Sequence, residues 1–364
     1  MKNEPKIRIK GFEGEWKECQ IGHIAPLQRG FDLPTSNLIP GNYPVVYSNG
    51  IGFYHAKYKC QAPGLVTGRS GTIGKFTLIP EGYYWPHNTT LWVTDFMGND
   101  PLFVDYLYQT IHFENYMMGS GVPTLNRNTI HNQHVFIPSS NEQRAIATYF
   151  RHLDSLIETA DKKLASLKQV KEASLQSMFP KEGQKVPEVR FKGFEGEWKE
   201  LSFNNLFSLV SDYKSNIGNK TDYQEEGKYP IIDQSKEYIV GYTNEDNPII
   251  PDNGIIVFGD HTREIKYIDF PFYTGADGTK LLHCQQSVFP LFGYYSCCSQ
   301  RIPNTGYNRH YKYLKEADYI IPSLPEQRAI ATYFVHLDKQ IAIAQQRLDL
   351  LRRIKSACLD EMFV

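Results

Sequence analysis

Residues 137–154 read IPSSNEQRAIATYFRHLD, and residues 321–338 read IPSLPEQRAIATYFVHLD. Fifteen of these eighteen positions are identical at an offset of 184. Identity this dense at such a separation marks a duplication, and its extent has to be mapped before any motif is weighed. Upstream, residues 7–18 (IRIKGFEGEWKE) return as residues 189–200 (VRFKGFEGEWKE). Downstream, residues 155–179 continue more weakly as 339–363, and both copies close on Met-Phe. Between the repeated blocks lie two segments of about 120 residues that share little. The repeated pieces are a frame, and the divergent pieces are what differs in use.

The repeated blocks read as helices. Ser139-x-x-Glu142 and Ser323-x-x-Glu326 fit a capping box, in which hydroxyl and carboxylate satisfy first-turn amides. Pro325 falls in the first turn, where proline is tolerated. Leu153, Ile157, Ala160, Leu164 and Leu167 then recur at alternating steps of four and three. Leu337, Ile341, Ala344, Leu348 and Leu351 repeat the pattern. That spacing is a coiled-coil seam. Leu175 and Met178 extend one stripe, Leu359 and Met362 the other. Two such helices in one chain, matched in length, favour antiparallel pairing within the molecule. Pro180 ends the first helix, and residues 181–188 form a polar linker.

The divergent segments read as β-rich. Residues 43–54, 65–79 and 85–93 carry short β-branched and aromatic runs broken by Gly and Pro, as do 229–233, 254–259 and 265–272. Residues 101–112 and 288–299 have helical spacing. The expected class is α+β, with two β-rich domains joined by two long helices and an internal pseudo-twofold repeat. The boundaries that follow are a first domain at 1–138, its helix at 139–180, the linker at 181–188, a second domain at 189–322 and its helix at 323–364.

With 24 Tyr and 21 Phe, aromatic residues are numerous enough to fill two cores. No apolar run approaches the roughly 20 residues of a membrane span. The six cysteines show neither metal-ligand spacing nor a disulfide framework, which fits a cytoplasmic protein with reduced thiols. Net charge is −1, which argues against an indiscriminate nucleic-acid binder. Any DNA affinity has to come from local positive potential or from a partner.

Three catalytic patterns can be tested. Gly68-Arg-Ser-Gly71-Thr-Ile-Gly74-Lys75 suggests a phosphate loop, but Arg69 and Phe76 stand where a Walker A loop needs Gly and Ser/Thr. A tight hairpin exposing Arg69 and Lys75 is the better reading. Pro251-Asp252 followed by Glu264-Ile265-Lys266 resembles a metal-dependent nuclease signature, in which two acids hold Mg²⁺ and a lysine assists water. Residues 254–267 align approximately with 64–76, placing Lys266 on Lys75, so a hairpin shared by both copies accounts for them without metal. Asp269-Phe-Pro-Phe272 misses the first Pro of the amino-methyltransferase motif and has no glycine-rich cofactor loop beside it. His131 and His134 lack clustered partners for a metal. What remains is a set of polar and basic loop residues able to bond base edges or phosphates. In the first domain these are Arg69, Ser70, Thr72, Lys75, Asn88, Asn126 and Arg127. In the second they are Asp260, His261, Thr262, Arg263, Lys266, Thr279, Lys280, Asn308 and Arg309.

This layout resembles the specificity (S) subunit of type I restriction–modification systems over essentially the whole chain. The resemblance is carried by Ile137-Pro138 with Glu142-Gln143-Arg144-Ala145-Ile146-Ala147 and by their second copy. Supporting it are Phe12-Glu13-Gly14-Glu15-Trp16, Gly68–Lys75, and the motif from Gly119 to Arg127. The second domain offers only Asn304-Thr-Gly-Tyr-Asn308-Arg309 for that last motif.

The resemblance implies a DNA-binding specificity subunit without chemistry of its own. Each variable segment would be a target-recognition domain reading half of a bipartite, asymmetric site, and the helices would set the gap. Modification subunits, two of them, would dock at the repeated blocks, for which Glu142, Gln143, Arg144, Tyr149, Glu326, Gln327, Arg328 and Tyr333 are the candidates. Those partners would bring S-adenosylmethionine and methylate adenine, and a motor-nuclease subunit would add ATP and Mg²⁺. No cofactor or metal is expected in this chain.

Overall fold

The computed structural model describes residues 3–119, 122–210, 217, 220–275, 278–306 and 308–364. Ser120 and Gly121 of the Gly119–Arg127 motif, and Tyr307 of its counterpart, lie outside them. The chain divides into two compact units, Met1–Asp161 with Gln346–Val364, and Lys162–Gln345. The end of the second repeat therefore completes the first unit.

The two long helices are Ser140–Ser177 and Leu324–Met362, of 38 and 39 residues. At 1.5 Å per residue each is about 57 Å long. Along the seam Leu153, Ala160, Leu164, Leu337, Ala344 and Leu348 are buried. In the first unit Tyr149 meets Cys358, Asp154 meets Lys355 and Asp161 meets Arg352. Numbers rise on one helix as they fall on the other, so the pairing is antiparallel. Lys171 with Asp338 and Ser174 with Tyr333 repeat it in the second unit.

Each unit closes around the same aromatic group. In the first, Trp16, Phe103, Phe150 and Phe363 pack together, with Phe103 and Phe363 stacked at 5.6 Å. In the second, Trp198, Phe292, Phe334 and Phe179 do so. Phe103 lies on helix Pro101–Thr110, which starts because Pro101 suits the first turn and Asp100 accepts from the amides of Leu102 and Phe103. Helix Pro290–Ser299 is its counterpart.

The β-rich parts also share one plan. The first unit has an antiparallel sheet in the order Leu27–Arg29, Thr90–Val93, Gly64–Gly68, Phe76–Ile79. The second has Phe207–Leu209, Thr279–Cys284, Ile255–Gly259, Ile265–Ile268. A second sheet in each contains one parallel pair, Pro40–Tyr47 beside Tyr83–Pro86 and Tyr229–Ile232 beside Tyr273–Thr274. The run at 85–93 is thus two strands in different sheets.

The ladder corrects one sequence alignment. Gly68 faces Thr90 and Gly259 faces Thr279, so the two glycines hold the same position. Beyond them Thr67 pairs with Phe76, but Phe258 pairs with Ile265, making the second turn two residues shorter. Lys75 therefore corresponds to Glu264, and Lys266 to Thr77.

Candidate nucleic-acid interface

In the first unit the chain returns repeatedly to one end of the antiparallel sheet. Strand Gly64–Gly68 ends there in a turn so close that a Cβ on Gly68 would lie 1.8 Å from the Thr72 carbonyl oxygen, which requires glycine. The next amides, of Arg69 and Ser70, both donate to Thr89 O, at 2.8 and 3.1 Å. The Arg69 carbonyl accepts from Leu125 N at 2.8 Å, and Ser70 bridges to Thr124. Asn126 then caps helix Arg127–His131 by accepting from Asn128 N, leaving Arg127 exposed on its first turn. Asn88 Nδ2 donates to Asp32 Oδ1. Lys75 Nζ donates to Asn49 O at 2.7 Å, at the tip of the hairpin formed by Pro40–Tyr47 and Gly50–His55. Five of the seven candidates are thereby tied to one loop cluster by named bonds, and Thr72 and Arg127 are exposed beside them.

Four residues that the sequence reading did not single out belong to this cluster. Arg29 and Asp32 form an ion pair at 3.2 Å. Tyr47 lies against the His87 ring at a centroid distance of 4.5 Å. Burial lowers the His87 pKa and raises that of Tyr47, so both are neutral at physiological pH. Only the fold brings 29–32, 47 and 87 beside 69–75, so no local sequence pattern marks them.

The second unit has the same turn with different chemistry. Asp260 follows Gly259 as Arg69 follows Gly68. Its amide donates to Gly278 O, and its carbonyl accepts from His310 N, each at 2.8 Å. Asp260 is buried, and its Oδ1 accepts from Tyr311 N at 2.8 Å. Thr279 is buried in the ladder. Lys266 is 5% exposed, and its Nζ donates to the carbonyls of Asp233 and Glu237. Burial pulls its pKa below the ordinary value. In this structure these three side chains hold the fold rather than offer themselves to DNA. Around them His261 N donates to Gln234 Oε1, Thr262 Oγ1 to Gln234 O, and Arg263 Nη1 to Ile302 O. Lys280 lies 6.0 Å from the centre of the Tyr311 ring. Asn308 and Arg309 are exposed in the loop before helix Tyr311–Glu316.

The same geometry removes the nuclease alternative. Asp252 precedes strand Ile255–Gly259, and Glu264 sits in the turn at that hairpin's far end. Four paired residues between them span roughly 10 Å, too far to share one Mg²⁺ at about 2.1 Å. Lys266 is committed to backbone carbonyls.

The repeated helix starts also correct an expectation. Glu142 N reaches Ser139 Oγ at 3.4 Å, but its carboxylate turns to Arg8 instead of closing a capping box. Arg8 Nε and Nη2 donate to it at 2.8 and 2.9 Å. Glu326 accepts from Arg190 at 2.7 and 2.8 Å in the same way. Gln143 accepts from Asp100 N and donates to Asn99 and to Pro138 O. Gln327 accepts from Phe289 N and donates to Ser287 O and Pro322 O. All four are buried, so they are struts between helix and domain, not docking residues. Tyr333 bonds Ser174. Arg144, Arg328 and Tyr149 remain exposed, although Arg328 lies over the Phe289 ring and Tyr149 reaches Cys358.

No helix among the described residues is long and apolar enough to cross a membrane. The sequence matches the family described as type I restriction modification DNA specificity domain twice, over residues 13–169 and 195–353. Solved structures with the same fold include the S subunit of a type I restriction–modification system from M. genitalium. It is 16% identical, covers 99% of each chain and has a TM-score of 0.70. A chain from a structure describing complex assembly and conformational transition of the type I R-M system is 14% identical. It covers 95% of this chain and 97% of its own, with a TM-score of 0.55. No curated protein matches the chain.

Proposed function

The chain belongs to the type I restriction modification DNA specificity family, and on that premise we propose that each compact unit reads one half of a bipartite, asymmetric DNA site. The observation that carries this reading is the shared turn after Gly68 and Gly259. One backbone plan there carries Arg69, Ser70 and Gly71 in one unit where the other has Asp260, His261 and Thr262. A fixed scaffold with unlike side chains at its loops is what reading two different half-sites requires.

The antiparallel helices are the ruler that sets the gap between half-sites. The chemistry belongs to partners. Two modification subunits supply S-adenosylmethionine and methylate adenine, and a restriction subunit supplies ATP- and Mg²⁺-dependent cleavage. The near-neutral charge of this chain fits a complex in which partners contribute positive potential around the duplex.

The test is single-molecule methylation mapping in a host carrying this chain and its modification partner. A bipartite consensus is expected, and exchanging residues 201–320 for another such domain should change one half-site only. A continuous palindromic motif would sink the reading.

A further inference from the structure

Asp32 stands at the rim of the first unit's loop cluster with two donors turned to one oxygen. Its Oδ1 accepts from Arg29 Nη2 at 3.2 Å and from Asn88 Nδ2. The side chains of Arg29 and Asp32 are 53% and 70% exposed. An ion pair this open adds little to stability. A carboxylate turned to DNA on its own would repel phosphate, and beside an arginine it would weaken any phosphate contact. Its placement makes sense as an anchor that aims donors at base edges.

The backbone makes the anchor rigid. Gly30 N donates to Thr90 O at 3.0 Å, and Phe31 N to Pro86 O at 2.8 Å. A Cβ on Gly30 would lie 2.1 Å from His87 O. Glycine is what lets residues 29–32 lie against 86–90, and this contact delivers the Asp32 carboxylate to Asn88.

We infer that Asp32 positions Arg29 to read a guanine in the half-site of the first unit, with Asn88 as its second strut. The inference rests on the function proposed above. A guanidinium fork matches guanine O6 and N7 in the major groove. One donor held by a carboxylate leaves the others free and limits the side-chain freedom lost on binding.

The experiment maps methylation by the complete complex carrying wild-type chain, Arg29→Ala, Arg29→Lys, Asp32→Ala or Asn88→Ala. The first unit's half-site is identified by exchanging residues 19–136. The wild-type half-site should contain a fixed guanine. Arg29→Ala should relax that position by roughly 10- to 100-fold, and Asp32→Ala should relax the same position by less, with the other half-site unaltered. Arg29→Lys keeps the charge but loses the fork, and reads the same position should the alanine variant fail to assemble. Methylation lowered at all sites alike by both Arg29→Lys and Asp32→Ala, with base preference intact, would mark a purely structural role and overturn the inference. So would a first half-site without guanine. A wild-type consensus that is not bipartite removes the proposed function itself, whereas a bipartite consensus untouched by these variants removes only this inference.

Discussion

Replacing Arg8 by alanine should separate the two roles available to Glu142, strut or docking residue. The Glu142 side chain is 3% exposed and that of Arg8 17%. Two charge-assisted bonds of 2.8 and 2.9 Å join them, and a third ties Arg8 to Gly14 O at 2.6 Å. Removing the arginine strands a buried carboxylate, a loss of about 3–5 kcal/mol for a fully buried pair. The partial exposure of Arg8 lets water in, which places the expected cost near about 3 kcal/mol. Glu142→Gln keeps an acceptor and should cost only about 1–2 kcal/mol. Hydrogen exchange of residues 7–18 reads the effect locally, which matters because two units need not unfold together. Fluorescence of buried Trp16 in urea is a second readout. A cost below about 1 kcal/mol, with Glu142→Ala abolishing partner association, would refute the strut and restore docking.

Three further outcomes are expected. Lys266→Ala strands the carbonyls of Asp233 and Glu237 and should destabilise the second unit by about 2–4 kcal/mol, read by the buried Trp198. Unchanged stability with weakened DNA binding would make Lys266 a DNA contact instead. Gly68→Ala drives a methyl into the Thr72 carbonyl and should distort the 68–75 turn, impairing the first half-site in methylation mapping while the second keeps its sequence. Deleting one heptad from each long helix removes about 10 Å of rise. It should shorten the gap by about three base pairs with both half-sites unchanged, which methylation mapping reads directly.

The helices and the duplication were legible because both are periodic, and periodicity survives without any tertiary information. The coiled-coil seam lies where alternating steps of four and three placed it. Most strands were visible as β-branched runs, but their assignment to two sheets was not, since pairing is decided by residues far apart in the chain. The capping boxes misled for the same reason. Glu142 has a local partner available in Ser139, yet a guanidinium 134 residues upstream forms the stronger bidentate bond. Lys75 and Lys266 looked equivalent because an alignment run straight through the turn cannot register that the second turn is two residues shorter. Arg29 and Asp32 carry no local signal, since only the packing of 29–32 on 86–90 brings them to Asn88.

The near-identity of the repeated blocks is explained by the struts and seam without reference to any partner. Asp154 accepts from Tyr106 at 2.7 Å and pairs with Lys355 at 2.6 Å. Asp338 accepts from Tyr295 at 2.8 Å and pairs with Lys171 at 2.5 Å. In each unit the aspartate comes from one long helix and the lysine from the other, while the tyrosine comes from the short domain helix. Every repeated residue in these sets serves one unit as the start of a helix or the other as its end. A substitution in one copy would spoil a contact whose remaining members lie elsewhere in the chain. The loops after Gly68 and Gly259 share no side-chain contact of this kind: the bonds common to both are made by the amide and carbonyl of Arg69 and of Asp260, while a side-chain bond such as that from Tyr311 N to Asp260 Oδ1 belongs to one copy alone. Divergence is therefore tolerated where the scaffold is held by main chain and resisted where it is held by side chains. That division leaves the loop tips free to differ in what they recognise.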